Sequence, residues 1–478
     1  MASSFRLLHT TILMIVALSG TLSAQVNLPD TRQGNIVQDF IAAFNSGGDT
    51  AMRQFFLDHV SKEGLADRPA DVRVERIRMI RNDMKSLTLL QVLDTSATAM
   101  AVLAKSGRGE EMTLTFNFDT TLQHKFVSLG IEMGEREPIG GPPLSKKEFL
   151  KSVEDHINAA VREGKFSGAV LIARGNSVLL KKAYGAADKR FNVPNRTDTK
   201  FNLGSINKFF TRIAIAQLAQ AGKLSFDKPI ITYLPDYPNR SVAEKVTINQ
   251  LITMTSGMGD FFGEKFANTP KDKIRTLNDY LQLFVNDSLL FEPGTQRRYS
   301  NAGYIVLGLI VERLSGQDYY SYVRDHIFTP AGMNNSDWFP SDAVTPNIAT
   351  GYVHPEGDEQ TWISNIHALP GRGSSAGGGY STLDDLYRFI HALLGGKFLN
   401  ARYSEWMLTN THPQSDPPLP LKHGGIGIAG GTAGVNAAVE LDAESGDVVI
   451  VLANYDRPSA EAVSKTIRGL MKRVRQEK

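Results

Sequence analysis

Asn202-Leu203-Gly204-Ser205-Ile206-Asn207-Lys208 puts a serine three residues before a lysine, and the chain continues through Phe209, Phe210, Ile213 and Leu218 to Gly222. With Ile206 these residues form a broad apolar stripe at helical spacing, so the stretch opens a largely buried helix. Residues three apart share a helix face. The Lys208 ammonium therefore lies one turn from the Ser205 hydroxyl and can tune or take its proton. The start of a helix also offers Ser205 a dipole and free backbone N–H groups that stabilise negative charge. A lone Ser-x-x-Lys pair is commonly a surface accident, and the buried helix behind this one is what makes it a nucleophile that needs no histidine.

A second stretch, Tyr299-Ser300-Asn301, follows Pro293-Gly294 and precedes an apolar helix bearing Ile305, Val306, Leu307, Leu309 and Ile310. It reads as a loop presented ahead of a buried helix. Tyr299 can accept the Ser205 proton if Lys208 pulls its pKa, ordinarily about 10, toward neutrality. Asn301 supplies an amide donor and acceptor for a substrate carbonyl or for Lys208. Taken alone, the two residues read as a tyrosine at a domain edge and a turn-forming asparagine.

Taken with the segment Leu251-Ile252-Thr253-Met254-Thr255-Ser256-Gly257 and the glycine run between Gly373 and Ser381, these motifs give residues 144–478 a family resemblance. The region resembles the serine β-lactamase and penicillin-binding-protein superfamily, in its class C β-lactamase and esterase-like branch, which the Tyr-x-Asn form marks. The resemblance implies Ser205 as acylated nucleophile, Lys208 and Tyr299 as the proton-handling pair, and Asn301 as orienter of substrate and lysine. The family's third motif, Lys-Thr-Gly or His-x-Gly on the strand lining the cleft, is where this chain departs. Its position is assigned to Ile428-Ala429-Gly430, without cation or hydroxyl; a literal His423-Gly424-Gly425 just upstream occupies the site only in a different strand register. The N–H of Gly431 can still pair with that of Ser205 as an oxyanion hole, because the hole needs only backbone donors. The side chain with which the family holds a substrate carboxylate is missing, which shifts weight toward esters, amides or peptides.

Both ends of this region read as strands flanked by helices: a helix over 146–163, strands over 169–173 and 178–184, strands over 437–441 and 448–454, and a helix over 460–475. The expected fold class is α+β, one antiparallel sheet assembled from both ends of the domain with helices against it and a helical lobe inserted. Upstream, helices over 38–44, 51–60 and the basic stretch Arg73 to Lys85 precede strands over 87–93, 97–104, 112–118 and 126–132. That order resembles the NTF2-like fold, and an accessory role is its expected use. Residues 135–143, with Glu137-Pro138-Ile139-Gly140-Gly141-Pro142-Pro143, read as a linker between an accessory domain at 25–134 and the hydrolase domain at 144–478. Residues 1–24 carry Arg6, the apolar run 12–18 and Ser23-Ala24, and read as a secretory signal that directs the chain to the periplasm or the outside.

At 478 residues, 42% hydrophobic and 21% charged, the chain suits two globular domains. A net charge of +2 argues against a nucleic-acid binder. Cysteine is absent, which removes thiol nucleophiles and disulfides, and the scattered histidines give no metal motif, so no cofactor and no metal are expected. Gly373-Ser374-Ser375-Ala376-Gly377 fits a nucleophile elbow but lacks the strand before it and the helix after it. Gly425-Ile426-Gly427-Ile428-Ala429-Gly430 fits a dinucleotide fingerprint but is followed by a strand. The sequence therefore predicts an exported serine hydrolase acting through an acyl-enzyme on a small or peptide acyl substrate, including one derived from the cell wall. A class C-type β-lactamase or D-Ala carboxypeptidase is one alternative. A non-catalytic relative that binds peptidoglycan or protein is the other, and the incomplete third motif is its best support.

Overall fold

The structure, a computed structural model, describes residues 26, 28–67, 69–96, 98–107, 109, 111–119, 121, 124–133, 142–355, 358, 360–409 and 425–474. The leader expected at 1–24, most of the linker and His423 lie outside the described residues. Two compact units divide the chain, Met1–Ile139 and Gly140–Lys478.

In the first unit, helices α1 (Arg32–Asn45), α2 (Asp49–His59), α3 (Lys62–Asp67) and α4 (Ala70–Met84) precede strands β1 (Leu87–Thr95), β2 (Ala99–Ser106), β3 (Glu111–Phe118) and β4 (Phe126–Met133). The strands pair in chain order as an antiparallel meander. Met112, Leu114, Phe116 and Phe118 are all buried, as their alternation requires of a half-buried strand. Phe116 meets Phe40 of α1 edge to face, ring centroids 5.3 Å apart. Register shifts in β1 between Leu89 and Gln91 and between Val92 and Asp94 bend the sheet around the helices. The basic stretch turns inward at Val74 and Ile77, and its cations brace the unit: Arg73 donates to Gly64 O at 2.9 Å, Arg81 to Gly47 O at 2.7 Å, and Arg78 pairs with Asp49. Helix α3 is the one element here that the pattern does not announce, because six residues are too short to show a period.

The second unit is built on a five-stranded antiparallel sheet. Strands β5 (Gly168–Arg174) and β6 (Ser177–Tyr184) come from its start, and β7 (Gly425–Thr432), β8 (Val435–Asp442) and β9 (Asp447–Ala453) from its end. The spatial order is β7-β8-β9-β5-β6, the two-ended assembly that the sequence predicts. Helix α5 (Lys146–Arg162) begins at a capping box in which Ser145 and Glu148 satisfy each other's backbone N–H groups. With α8 (Ser459–Met471), the last helix, α5 covers one face of the sheet. Val170 and Ile172 pack on that side, while Ala169, Leu171 and Ala173 face the helical lobe. Strands β5 and β9 are apolar on both faces for that reason, and a period-two polar pattern is absent from them.

Helices α6 (Asn207–Gln220) and α7 (Asn301–Ser315) run through the core of the lobe. Phe210 of α6 is fully buried and meets Phe328 and Phe389 edge-on, each at 5.0 Å. Truncating such a residue costs about 3–5 kcal/mol, so α6 is a rigid platform for whatever stands at its start. Among the described residues no helix is long and apolar enough to cross a membrane.

Candidate active site

Ser205 occupies the middle of a single 3₁₀ turn, Gly204–Ile206, that runs directly into α6. Three residues per turn bring residues 205 and 208 into line. Gly204 has φ +50°, and a methyl group built on it would lie 2.7 Å from the backbone nitrogen of Gly431. Only glycine lets the serine segment press this closely against β7. Lys208 is buried, 6% exposed, and its Nζ lies 3.1 Å from Ser205 Oγ. The same amine donates to Asn301 Oδ1 at 2.6 Å and to the carbonyl of Ala376 at 2.5 Å.

The opposing motif is fixed by the start of α7. Ser300 is the N-cap, accepting from Gly303 N at 3.0 Å and donating to Gly259 O at 2.7 Å. This leaves Tyr299 ahead of the helix with its hydroxyl 2.6 Å from Ser205 Oγ. Asn301, the first helical residue, turns its carbonyl to Lys208 and donates its amide to Asp260 Oδ2 at 2.7 Å. Asp260 thereby settles which end of the Asn301 amide faces the lysine.

Burial pushes the Lys208 amine down to about 7, against a smaller upward pull from the Asp260 carboxylate. Burial raises the Tyr299 phenol above its ordinary value; the hydrogen bond with Ser205 lowers it, Asp260 raises it and Arg457 lowers it. The sequence expectation that Lys208 draws Tyr299 toward neutrality is therefore corrected. A desolvated lysine near half-protonation gives up much of its field, and Tyr299 remains a phenol.

On the far side of the serine runs β7. Its register pairs Ile428 with Val439, Ala429 with Ala438, Gly430 with Ala437, Gly431 with Asn436 and Thr432 with Val435. Thr432 and Val435 close a two-residue hairpin, and bonding alternates along an antiparallel pair, so the N–H of Gly431 points away from β8 toward Ser205. A methyl on Gly430 would lie 2.0 Å from Leu203 O and 2.8 Å from Ser205 N. Ala429, Gly431 and Thr432 line a cleft of about 800 Å³ with Ser205, Tyr299 and Asn301, whereas Ile428 packs against the core. The sequence-assigned cleft residues thus divide: Ala429 faces the cavity, Gly430 lies against the serine segment, and Ile428 faces inward.

The family model described as Beta-lactamase matches residues 153–470. This chain belongs to the Beta-lactamase family. It is one of the β-lactamase and penicillin-binding-protein superfamily of serine hydrolases. It is 32% identical over 274 residues to PbpX of Bacillus subtilis (strain 168), a name that places that protein among the penicillin-binding proteins; the alignment covers 55% of this chain and 66% of PbpX. The chain thus spans just under two thirds of that relative's length. The solved penicillin-binding protein from Bacillus halodurans is 32% identical with a TM-score of 0.58, covering 66% of this chain and 100% of that one. A D-amino acid amidase from Ochrobactrum anthropi SV3 shares the fold at 22% identity and a TM-score of 0.56, covering 68% of this chain and 97% of the amidase.

In this family member the competing motifs are structural. Ser375, the would-be elbow nucleophile, is fully buried and donates its hydroxyl to Tyr304 O at 2.8 Å. The dinucleotide-like glycines lie on β7, where Gly425 to Gly430 pair with β8. Asp260, the Ala376 carbonyl, Thr432 and Arg457 are site residues that the sequence reading missed. Asp260 stands three residues beyond the quoted segment ending at Gly257, and Ala376 lies inside the glycine run, so both had a signal in position. Arg457 had none, because it comes from the loop after β9.

Proposed function

We propose that the chain is an exported serine hydrolase of the class C-like, esterase-related branch, acting through an acyl-enzyme on Ser205, with an NTF2-like accessory domain ahead of it. The observation that carries this reading is the coordination of Lys208. A neutral amine has two hydrogens and one lone pair. Asn301 Oδ1 and the Ala376 carbonyl can only accept, and they take both hydrogens, which leaves the lone pair for the third neighbour, Ser205 Oγ at 3.1 Å.

In this reading the Ser205 proton passes to Lys208 Nζ as Oγ bonds to the substrate carbonyl carbon. The backbone N–H groups of Ser205 and Gly431 receive the oxyanion. As the tetrahedral intermediate collapses, the leaving atom takes the Tyr299 hydroxyl proton, and the Tyr299 phenolate regains a proton from the Lys208 ammonium, which returns to the neutral amine. A water then repeats the sequence against the acyl-enzyme, its proton taken by the same pair. Substrates are esters, amides or peptides. β-Lactam hydrolysis and D-Ala carboxypeptidase activity are the neighbouring reading, favoured by the likeness to penicillin-binding proteins.

The test is covalent labelling. The purified protein treated with a fluorophosphonate, or with a penicillin, is expected to gain one adduct on the Ser205 peptide and to hydrolyse nitrophenyl esters. Ser205→Ala is expected to do neither. Absence of any serine adduct together with no ester turnover returns the chain to the non-catalytic binding alternative.

A further inference from the structure

The cleft over Ser205 is large for a small acyl group. Its volume of about 800 Å³ lies toward the upper end of small-molecule sites, which run to roughly 1,000 Å³, and Phe261, Phe262, Phe339, Ile348, Ile366 and Leu369 line it. Phe262 and Ile366 are 52% and 44% exposed. Large apolar side chains left in water around one opening, rather than scattered singly, mark a surface that an apolar ligand covers.

The polar side chains in the lining are largely committed to the protein itself. Asn202 Oδ1 accepts from Gly204 N at 2.9 Å, Asn365 accepts from Gly351 N at 3.2 Å and donates to Ala433 O at 2.8 Å, and Tyr280 donates to Arg372 O at 2.7 Å. Both ends of the Asn301 amide are taken, by Lys208 and by Asp260. Arg457 follows the same rule. A methyl on Gly431 would lie 2.6 Å from both Cγ and Cδ of Arg457, so the stem crosses over β7 where a side chain is missing, while Nε and Nη2 fork onto Glu461 at 2.8 and 2.5 Å. The methylenes of the stem thereby join the lining. Ser341 and His367, which also line the cleft, are exposed. A peptide or sugar buried here gives up its water for few new hydrogen bonds, whereas a hydrocarbon has none to lose.

We propose that the cleft holds the acyl group as a hydrocarbon chain, so that the substrates are medium-chain fatty acyl esters of small alcohols rather than peptides or cell-wall sugars. The inference rests on the acyl-enzyme reading above. The apolar lining is bonded to the chain that leads into the serine: Lys200 N donates to Asn347 O at 2.6 Å and Ala349 N to Lys200 O at 2.9 Å, which brackets Ile348. Phe339 packs on Tyr380 with ring centroids 6.3 Å apart, and Tyr380 pairs with Asn202. Tyr299, the donor to the leaving atom, is 49% exposed. The alcohol therefore departs on the open side of Ser205, and the group that stays on the serine lies against Phe339 and Ile348. Ser205 Oγ bonds to the fatty acyl carbon as the bond to the alcohol oxygen breaks, the alcohol leaves with the Tyr299 proton, and water releases the fatty acid.

The probes are nitrophenyl acetate, butanoate, hexanoate and octanoate, each below its micelle concentration. Wild-type kcat/KM is expected to rise about fourfold per added methylene, the equivalent of about 0.8 kcal/mol. A series that is flat, or that falls beyond acetate, overturns the proposal. Ile348→Thr keeps the branched shape and is expected to cut the octanoate-to-acetate ratio by about threefold or more, and Phe339→Ser to cut it further; the ratio does not depend on how much of the enzyme is folded. A ratio unmoved in both variants overturns the proposal. Ethyl acetate against octyl acetate probes the other side of the ester, and a length preference there as steep as in the acyl series overturns the acyl placement. Binding separates these outcomes from failure of the hydrolase reading: Ser205→Ala, titrated calorimetrically, is expected to bind octanamide at least about tenfold more tightly than butanamide and to give no binding heat with acetyl-D-alanyl-D-alanine. Equal affinities for the two amides, or a peptide bound as tightly as octanamide, overturn the hydrocarbon site even if Ser205 labels with fluorophosphonate. A length preference there without labelling upholds the site and overturns the hydrolase.

Discussion

The two walls of the cleft are made differently. On one, Ser205, Lys208, Tyr299, Asn301 and Asp260 form a chain of side-chain hydrogen bonds between 2.6 and 3.1 Å. On the other, β7 offers Ala429, Gly430 and Gly431, whose contribution is backbone and the space where side chains are missing. The first wall suits moving protons, which needs titratable groups with tuned affinities. The second suits holding charge, which needs fixed dipoles and close approach. Damage should therefore read out differently on each: in protonation on the first, in geometry on the second.

The largest effect is expected at Lys208. Lys208→Met should lower kcat/KM by about 10²–10⁴, the range of a lost general base. In the wild type the acid limb of kcat/KM should lie near pH 7, where this amine loses its proton. The sign for stability follows. The folded lysine is depressed to about 7 whereas the unfolded one titrates near 10.4, so between these values the unfolded chain binds more protons and stability rises with pH. Burial of Lys208 is thus a cost that is complete below about pH 7 and fades toward pH 10. The stability of Lys208→Met relative to wild type should be greatest at pH 6 and should decline by pH 9 in denaturant titrations. A pH-independent difference would mean that the lysine is charged in the fold and is no base.

On the backbone wall the corresponding strike is Gly430→Ala. Its methyl would sit 2.0 Å from Leu203 O, a backbone atom that can yield only by moving β7 away from the Ser205 turn. Loss of one oxyanion donor costs about 10²–10³ in kcat, and that loss is expected here with the pH limb unmoved. A shifted limb would show that the two walls are coupled through Ser205 and that the division between them is false.

The same division marks how far the site was legible in the sequence. Ser205, Lys208, Tyr299 and Asn301 stand in short motifs beside strongly apolar helices, and α6 and α7 bury those helices as their stripes require. The two-ended sheet was legible because β5 and β9 are apolar runs at opposite ends of one domain, bounded by turns. The β7 wall was harder to read. A glycine-rich strand has no side-chain pattern to fix its facing, and only pairing with β8 shows that Ile428 faces the core while Ala429 faces the cleft. Arg457 was out of reach entirely, since its relation to Gly431 depends on the path from β9 into α8 and on no motif.

The finest test of the proton-handling wall is Asp260→Asn, the smallest of these changes. Asn can still accept from Asn301 Nδ2, so the 2.7 Å contact is preserved in kind while the charge is removed. The carboxylate pulls Lys208 upward against burial. Without it the amine should lose its proton more readily, and the acid limb of kcat/KM should move below pH 7 by a fraction of a unit. At pH 8, where the wild-type lysine is already mostly neutral, activity should fall by no more than a few fold; Asp260→Ala, which also frees the Asn301 amide to rotate, should lose more and lose it at every pH. If Asp260→Asn and Asp260→Ala are equally impaired with the limb in place, the carboxylate serves neither the lysine's charge nor the asparagine's orientation. Proton handling would then be confined to Ser205, Lys208 and Tyr299, since a neutral neighbour that keeps the hydrogen bond must separate the two effects if both exist.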